Sequence, residues 1–386
     1  MPEMTSAVFE TLTGPLTLMR PGAGRSLRAW DAADELLVQQ AQERLSGCCD
    51  PRVLVVDDNF GALALGLNSY SPELVADSAV LAGALPRNAA LNPDVGDVAA
   101  VQSWLTPPEG PFDLVVMRIP RHADYLGWLL RWINGVLAEG GLLLAGGMIK
   151  HLPDRSVDVF GAAVTTEEVL PARKKARVVV CRAGVSLLDG WSDCWKGYGL
   201  DSGMSVQALP AVFARDRLDV GTRLFLPQVR KAVATLSEGS RVLDLACGNG
   251  VVGLTALEQN QGLSVTFSDV SSQAVMSVQR NLAACFSGCH VDVAHADGMP
   301  RDAGRFDLIL LNPPFHEGGT VGDHIALRLF RQAARHLAPN GRLLIVGNRH
   351  LGYHRTLRQW FGDVTQVDAN PKFVVFSAQR PQAGRS

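Results

Sequence analysis

The chain has 386 residues, of which 47% are hydrophobic and 19% are charged, and its formal net charge is −2. This composition excludes a disordered chain, and the length favours two domains of ordinary size. The balanced charge excludes a surface that is basic overall, so any nucleic acid has to be bound by local basic patches.

The cysteines and the N-terminus indicate the compartment. The seven cysteines are scattered and form no CxxC pair, which predicts reduced thiols and no structural metal site. The first ten residues, MPEMTSAVFE, lack the apolar core of a signal peptide, and no apolar run is long enough to span a bilayer. We therefore expect a cytoplasmic protein without a membrane partner and without a metal.

One series of segments occurs twice along the chain. Each copy opens with a short apolar strand, a glycine-containing turn and the start of a helix, which together begin a βαβ unit. Three further strands follow in the same order, at offsets of about 190 to 200 residues. The paired segments are 52–67 and 241–256, then the strands that end at Asp77 and Asp269, then 112–121 and 306–315, and last 137–148 and 337–348.

The repetition predicts two copies of one α/β fold. Strands that alternate with helical stretches predict mostly parallel sheets with helices on both faces, and a ligand site at the carboxyl ends of the strands. We expect a first domain at residues 1–185, a linker at 186–208 and a second domain at 209–386. In the linker, Trp191 and Trp195 are expected to pack between the domains, with stacking on bases as the alternative.

The turn of the second copy has the features of a binding loop for S-adenosylmethionine. Gly248 and Gly250 belong to a GxGxxG pattern, whose glycines let a ligand approach the backbone. Dinucleotide enzymes share this pattern, but the carboxylate of Asp244 in the preceding strand repels a pyrophosphate and attracts the cationic methyl donor. Asp269 is expected to accept hydrogen bonds from the ribose hydroxyls, and Asp297 from the adenine amino group. For each acid the alternative is a helix N-cap or a solvated turn.

The motif Asn312-Pro313-Pro314-Phe315 follows an apolar strand and indicates the reaction. An amine conjugated to a ring is a weak nucleophile. A catalyst therefore has to accept hydrogen bonds from its N–H groups and hold the nitrogen facing the methyl group. The Asn312 side-chain oxygen and the Pro313 carbonyl are the expected acceptors, in a turn that proline stiffens. Phe315 offers a flat face for a base that is flipped out or unpaired. The alternative is a Pro-Pro turn that merely ends the strand.

The first copy has lost the residues expected to bind the cofactor. Val55 stands where the second copy has its strand acid, and Asn59 stands where it has its first glycine. Asp57 and Asp58 are expected to be cap or turn residues. We therefore predict that the first copy binds no cofactor.

Basic residues stand near the place of the lost amine motif. The segment 118–121, Arg-Ile-Pro-Arg, puts Arg118 and Arg121 where the second copy has its asparagine and phenylalanine. Both arginines are expected to face RNA phosphates or to stack under bases. Arg173, Lys174 and Lys175 would extend this contact, with a solvated basic turn as the alternative.

With these residues in view, the whole chain resembles the RsmC/RlmG group of bacterial rRNA guanine-N2 methyltransferases. The likeness rests on FARDRLDVGTRLFLP (213–227), LDLACGNG (243–250), NPPFHEGG (312–319), IVGNRHLGYH (345–354) and NPKFVVF (370–376). The last two segments look more like the large-subunit members of the group. The resemblance implies two tandem Rossmann-like class I methyltransferase domains, the N-terminal one degenerate and kept for RNA recognition. It also implies cofactor positions at the acids and glycines of the second copy, and a target-amine motif at its NPPF.

The motif predicts an amine target but leaves open the molecule that carries the amine. NPPF is also similar to the motif of adenine-N6 methyltransferases and of enzymes that methylate a glutamine side chain. A decayed tandem domain fits a large folded substrate such as rRNA better than a short peptide loop. The resemblance implies methylation of guanine N2, with large-subunit rRNA as the expected substrate. Small-subunit rRNA is the alternative, and the intact acids and NPPF count against a non-catalytic RNA-binding assembly factor.

Overall fold

The computed structural model describes residues 6–20, 27–188, 190–314 and 322–381. The chain divides into two compact units, the first ending at Cys194 and the second beginning at Trp195. Near the division, Trp191 stacks on Trp128 with ring centroids 3.7 Å apart, and Trp195 lies under the Arg280 guanidinium, 4.4 Å from its ring centroid. Trp191 thus packs on a tryptophan of the first unit and Trp195 on an arginine of the second unit, and packing between the domains stays a prediction. Over the described part of the chain, no helix combines the length and the apolar character needed to cross a membrane.

The described part of the first unit contains a hairpin, a seven-stranded sheet and the helices around it. Its strands are β1 (Ser6–Thr11), β2 (Gly14–Met19), β3 (Val53–Val56), β4 (Glu73–Val75), β5 (Val101–Gln102), β6 (Phe112–Arg118), β7 (Leu137–Met148), β8 (Thr165–Val169) and β9 (Ala176–Arg182). Its α-helices are α1 (Ala32–Leu45), α2 (Ala62–Gly66), α3 (Val80–Ala90), α4 (Ala123–Val136) and α5 (Ser156–Ala163).

The described part of the second unit has the same kinds of element in the same order. Its strands are β10 (Lys196–Gly199), β11 (Ser205–Ala208), β12 (Arg241–Leu245), β13 (Ser264–Asp269), β14 (His290–His295), β15 (Phe306–Leu311), β16 (Leu337–Asn348), β17 (Phe361–Ala369) and β18 (Phe373–Pro381). Its α-helices are α6 (Val220–Val233), α7 (Val251–Gln259), α8 (Ser272–Cys285), α9 (Gly322–His336) and α10 (Tyr353–Leu357).

The two sheets share one topology. The strand order is β5-β4-β3-β6-β7-β9-β8 in the first unit and β14-β13-β12-β15-β16-β18-β17 in the second. The first five strands of each sheet run parallel, and the last two pair antiparallel. This confirms the prediction of two α/β copies with mostly parallel sheets. Strand order reverses between β12 and β15, so a ligand crevice is expected at the carboxyl ends of these two strands.

A buried asparagine fastens a hairpin to the sheet domain in each unit. The Asn88 side chain bonds the Met19 backbone through both its oxygen and its nitrogen, at 2.9 and 3.1 Å. Asn281 bonds the Gln207 backbone in the same way, at 2.9 Å through each atom. The hairpin of β10 and β11 is therefore the counterpart of β1 and β2 and belongs to the second unit, so the predicted linker at 186–208 is too long.

Candidate active site

The turn between β12 and α7 is shaped by glycines. Gly248 and Gly250 have φ angles of +55° and +82°, in the left-handed region that favours glycine. A Cβ at Gly250 would lie 2.9 Å from Val278, whereas the nearest atom to a Cβ at Gly248 would be 4.0 Å away. Gly250 therefore serves close packing at the start of α7, and Gly248 leaves room for a ligand to approach the backbone, as a cofactor loop requires.

Two carboxylates anchor this turn. Asp244 is 2% exposed, and its Oδ2 accepts a hydrogen bond from the Gly253 backbone at 2.7 Å. Asp269 accepts from the Gly248 backbone at 2.8 Å and from the Ser271 backbone at 2.9 Å. Burial raises the pKa of Asp244 to about 8; the bond from Gly253 opposes this shift and the negative charge of Asp269 adds to it. Both acids thus have a structural part in the turn besides their predicted cofactor role.

These acids fit a cationic cofactor. The charged group that acts on Asp244 is another acid, so the site without ligand favours the neutral form of Asp244. An ammonium or sulfonium group nearby would favour the carboxylate instead, because an opposite charge stabilises the ionised form. Asp244, Asp269 and the backbone at Gly248 are the groups that would hold S-adenosylmethionine.

Asp297, at the turn after β14, is paired with α9. Its two carboxylate oxygens accept hydrogen bonds from Arg328, at 2.7 Å to Nη1 and 2.5 Å to Nη2. A carboxylate engaged in this way keeps further lone pairs on both oxygens. The ion pair fixes the carboxylate at the end of β14, and its bond to an adenine amino group stays a prediction.

The Asn312 side chain is oriented by the first turn of α6. Its Nδ2 donates to the Thr222 hydroxyl oxygen at 3.0 Å, and that hydroxyl donates to Oδ2 of Asp219 at 3.3 Å. Because the Thr222 hydroxyl donates its hydrogen to Asp219, its oxygen acts as an acceptor toward Asn312. The Asn312 amide therefore turns its NH₂ end toward Thr222. The Asn312 Oδ1 is buried and accepts no hydrogen bond from any residue in the described ranges. Asn312, Thr222 and Asp219 form a hydrogen-bonded amide chain, in which Oδ1 of Asn312 remains available as an acceptor.

The structure describes two further residues of the NPPF motif, and it adds two residues to which the sequence analysis gave no role. Pro313 is buried and Pro314 is exposed, while Phe315 lies outside the described residues. Thr222 and Asp219 received no role from the sequence, although Asp-x-x-Thr at a helix start is a typical N-cap pattern, and Asp219 is the N-cap of α6.

The first unit carries an ion-pair cluster (Arg118, Asp31, Asp34) where the second unit has its amide chain. Arg118 ends β6, at the position that Asn312 has after β15. Asp31 is the N-cap of α1, and Asp34 is the third residue of α1, as Thr222 is of α6. Nη1 of Arg118 lies 2.7 Å from Asp31 and 3.0 Å from Asp34, and Nη2 lies 2.8 Å from Asp31. The same positions therefore hold an available acceptor in one unit and a neutralised cation in the other.

This cluster corrects the prediction that Arg118 faces RNA phosphate. The Arg118 side chain is 14% exposed, and its guanidinium donates to both carboxylates. Although burial works to raise it, the pKa of Asp31 is lowered by the hydrogen bond and charge of Arg118 together with two backbone N–H groups. Arg118 is thus a structural residue of the first unit.

Asp58 replaces the missing strand acid of the first unit as a structural group. It is 3% exposed, and its Oδ2 accepts from the Ala64 backbone at 2.9 Å. Ala64 is the third residue of α2, as Gly253 is of α7, so Asp58 makes the bond that Asp244 makes in the second unit. Asp58 makes this bond from the turn after β3, whereas Asp244 makes it from within its strand. This position agrees with the predicted capping role of Asp58.

Buried side chains occupy the carboxyl edge of the first sheet between β3 and β5. The Tyr125 hydroxyl donates to Asp57 Oδ2 at 2.8 Å and accepts from Trp104 Nε1 at 2.6 Å. Burial raises the pKa of Asp57 to about 7, and the charge of Asp77 adds to the shift. This network lies at the carboxyl end of β3, the strand that corresponds to β12 of the second unit.

Strand register corrects one detail of the repeat. Val75 of β4 and Ser268 of β13 occupy equivalent positions against β3 and β12. Ala76, and not Asp77, therefore stands at the position of Asp269. The first unit lacks the second predicted cofactor acid as well as the first.

A basic edge (Arg121, Lys150, His151, Lys174, Lys175) lies at the carboxyl ends of the first sheet. Arg121 follows β6, and Lys150 and His151 follow β7. Burial and the charges of Arg121 and Lys150 lower the pKa of His151, so these three side chains are close together. Ile149 N donates to Lys175 O at 2.9 Å, which brings the turn before β9 to the same edge.

The turn before β9 presents two lysines in an uncommon conformation. Lys174 and Lys175 have φ angles of +49° and +65°, where a two-residue hairpin turn favours asparagine and glycine. Lys174 pairs with Glu35 at 2.7 Å, and Arg173 donates to Gln39 at 2.8 Å. Such exposed contacts contribute little energy and can exchange for phosphate.

Two family models match the chain. The methyltransferase small domain matches residues 203–377, and the RLMG N-terminal domain matches residues 6–184. The sheet topology, the glycine turn with its acids and the asparagine after β15 define the second unit as a class I methyltransferase domain. The first unit is a related domain that has lost these features.

Full-length relatives identify the family. Ribosomal RNA large subunit methyltransferase G of Alcanivorax borkumensis is 39% identical over 97% of both chains. The protein of that name from Pseudomonas aeruginosa is 39% identical over 96% of this chain and 99% of its own. The chain belongs to the ribosomal RNA large subunit methyltransferase G family and is an S-adenosylmethionine-dependent methyltransferase.

A solved structure shares the whole architecture. The T. thermophilus 16S rRNA N2 methyltransferase (RsmC), in complex with AdoMet and guanosine, matches with a TM-score of 0.76 and 23% identity. The match covers 97% of this chain and 98% of that chain. The tandem fold is therefore common to both proteins.

We expect cofactor binding to expel a proton from Asp244. With a pKa of about 8, Asp244 is largely protonated at pH 7, whereas a cationic ligand favours the carboxylate. Affinity for S-adenosylmethionine should thus rise by up to about tenfold per pH unit below pH 8 and level off above it. Calorimetric titration should give one bound cofactor per chain.

The matched variant is Asp244→Asn, which keeps an acceptor for the Gly253 backbone. Asp244→Asn should bind S-adenosylmethionine more weakly than the unaltered protein above pH 8. Its affinity should also lose the part of the pH dependence that comes from Asp244, while the part that comes from the ligand's own ammonium group is common to both proteins. Equal slopes in the two proteins would contradict the assignment.

We expect Arg118→Met to destabilise the first unit by about 2–4 kcal/mol, because it leaves Asp34 buried without its cation, while the partial exposure of Asp31 moderates the loss. The double variant Arg118→Asn/Asp34→Thr reproduces the residues of the second unit and should recover at least half of that loss. Chemical denaturation followed by tryptophan fluorescence measures both. A double variant no more stable than Arg118→Met would show that the two sets of residues are not equivalent.

Proposed function

We propose that this protein transfers the methyl group of S-adenosylmethionine to N2 of a guanine in large-subunit ribosomal RNA. The proposal is carried by the available buried oxygen of Asn312, which is oriented by Thr222. The names of the full-length relatives support large-subunit RNA as the substrate. The likeness of the chain to the RsmC/RlmG group supports guanine N2 as the acceptor.

The chemistry follows from what these groups can do to an amine. The lone pair of an exocyclic amine is delocalised into the ring, so it is weakly nucleophilic. Asn312 Oδ1 accepts one N–H bond and the Pro313 carbonyl accepts the other, which directs the lone pair and concentrates charge on the nitrogen. When bound, S-adenosylmethionine supplies an electrophilic methyl group. The nitrogen becomes strongly acidic once it has attacked, so the site needs no strong general base.

We expect Asn312→Ala to slow methyl transfer by about 10²–10³, the usual effect of losing one transition-state hydrogen bond. Cofactor affinity should stay the same, because Asn312 lies outside the glycine turn. Single-turnover assays at saturating RNA measure the step directly, with Asn340→Ala at the exposed amino end of β16 as the control. A loss of less than about fivefold would contradict the amine-holding role.

The first unit is proposed to bind RNA through its basic edge. Arg121 stands at the sequence position of Phe315 in the second copy and lies close to Lys150 and His151, and at the carboxyl end of β3 Tyr125 donates a hydrogen bond to Asp57. Arg121 and Lys175 are exposed, and their side chains can face phosphates directly. Arg173 and Lys174 extend this surface.

We expect Arg121→Glu/Lys175→Glu to weaken RNA binding and to lower the slope of log affinity against log salt by about one unit per lost phosphate contact. Cofactor affinity should not change. Arg87→Glu is the control for each reversed charge, because Arg87 is exposed in the last turn of α3, away from the basic edge. If RNA affinity fell by the same factor per reversed charge in Arg87→Glu, the effect would come from the change in net charge and not from contacts at the basic edge.

A further inference from the structure

Asn348 is a second buried amide whose oxygen is available at the carboxyl edge of the second sheet. It is the last residue of β16 and is 5% exposed. Its Oδ1 accepts no hydrogen bond from any residue within the described part of the chain. A buried oxygen without a donor is costly, so its presence calls for a partner that arrives with a ligand.

Asn348 and Asn312 border the same space. Leu311 pairs with Ile345 in the parallel ladder of β15 and β16, so Asn348 lies one strand across and two residues beyond Asn312. At about 3.3 Å per residue and 4.8 Å between strands, their backbones are roughly 8 Å apart. Asn348 has the same parity as Val346, which belongs to the apolar cluster beneath α6, the helix that also contacts Asn312.

Two acceptors on neighbouring strand ends suit the edge of one purine and not that of the other. Guanine carries its N2 amine next to N1–H, so it presents donors side by side. Adenine carries its N6 amine next to an N1 that has no hydrogen, so a second acceptor would face a lone pair. Enzymes that take a base out of its stack read this edge by hydrogen bonds.

We propose that Asn348 accepts N1–H of the target guanine and thereby determines which purine is methylated, while Asn312 holds the amine. This inference rests on the proposed function and deepens it. It supplies what NPPF leaves undetermined, because that motif is compatible with the amine of either purine.

The first unit supports a shared task for the two asparagines. Met148 ends β7 where Asn348 ends β16, and Arg118 stands in place of Asn312. The unit whose amine-holding residue is replaced by an ion-paired arginine has thus also lost the second amide.

The test uses a synthetic RNA hairpin that carries the methylated guanine, once this has been mapped, and the same hairpin with 2-aminopurine at that position. 2-Aminopurine keeps the amine but lacks N1–H. Single-turnover rates at saturating RNA and cofactor should favour guanine by about ten- to a hundredfold in the unaltered protein. Asn348→Ala should lose a similar factor on guanine and less than about threefold on 2-aminopurine.

Asn348→Asp separates the possible contacts, because a carboxylate only accepts. It should keep the preference for guanine if the contact is N1–H, and lose it if the asparagine donates to O6. Equal slowing of both RNAs by Asn348→Ala, or loss of the preference in Asn348→Asp, would overturn the proposal. Absence of N2-methylguanine in any RNA treated with the unaltered protein would instead refute the proposed function itself.

Discussion

The hydrogen bond between Asn312 and Thr222 decides what the second unit offers to a substrate. An asparagine has both a donor and an acceptor end, and a rotated amide would present N–H groups to the target amine and repel it. Thr222 is held as an acceptor by Asp219, which also caps α6. The start of one helix thus fixes both its own backbone and the orientation of a side chain on a neighbouring strand.

The duplicated unit shows how such a site can be lost while the fold is kept. Asp219 and Asp31 are both helix N-caps, yet one supports an amide and the other an arginine. Replacing the amide chain by an ion-pair cluster satisfies the buried groups but removes the available oxygen. Asp58 likewise keeps the helix-capping bond of the lost strand acid without presenting a carboxylate from the strand. The polar positions were refilled by groups that serve stability, and the exposed edge became basic.

The sequence allowed the duplication, the sheet class and the family resemblance to be predicted, because apolar periodicity and glycine turns are local signals. It did not reveal that β10 and β11 belong to the second unit, since that depends on the bonds of Asn281 to Gln207 across a long separation. The same limit applies to Arg118: an arginine in a loop looks available until its partners on α1 are known. Thr222 and Asn348 were missed for a related reason. Their importance lies in which atoms remain unpaired in three dimensions.

Whether Thr222 orients Asn312 for its task can be measured by comparing Thr222→Val with Thr222→Ser. Valine keeps the shape of the side chain but has no hydroxyl, whereas serine keeps the hydroxyl. Single-turnover methyl transfer at saturating RNA should fall by about ten- to a hundredfold in the valine variant and by less than about threefold in the serine variant, with equal cofactor affinity. Transfer that is equally fast in both variants would show that the amide is oriented without the Thr222 hydroxyl.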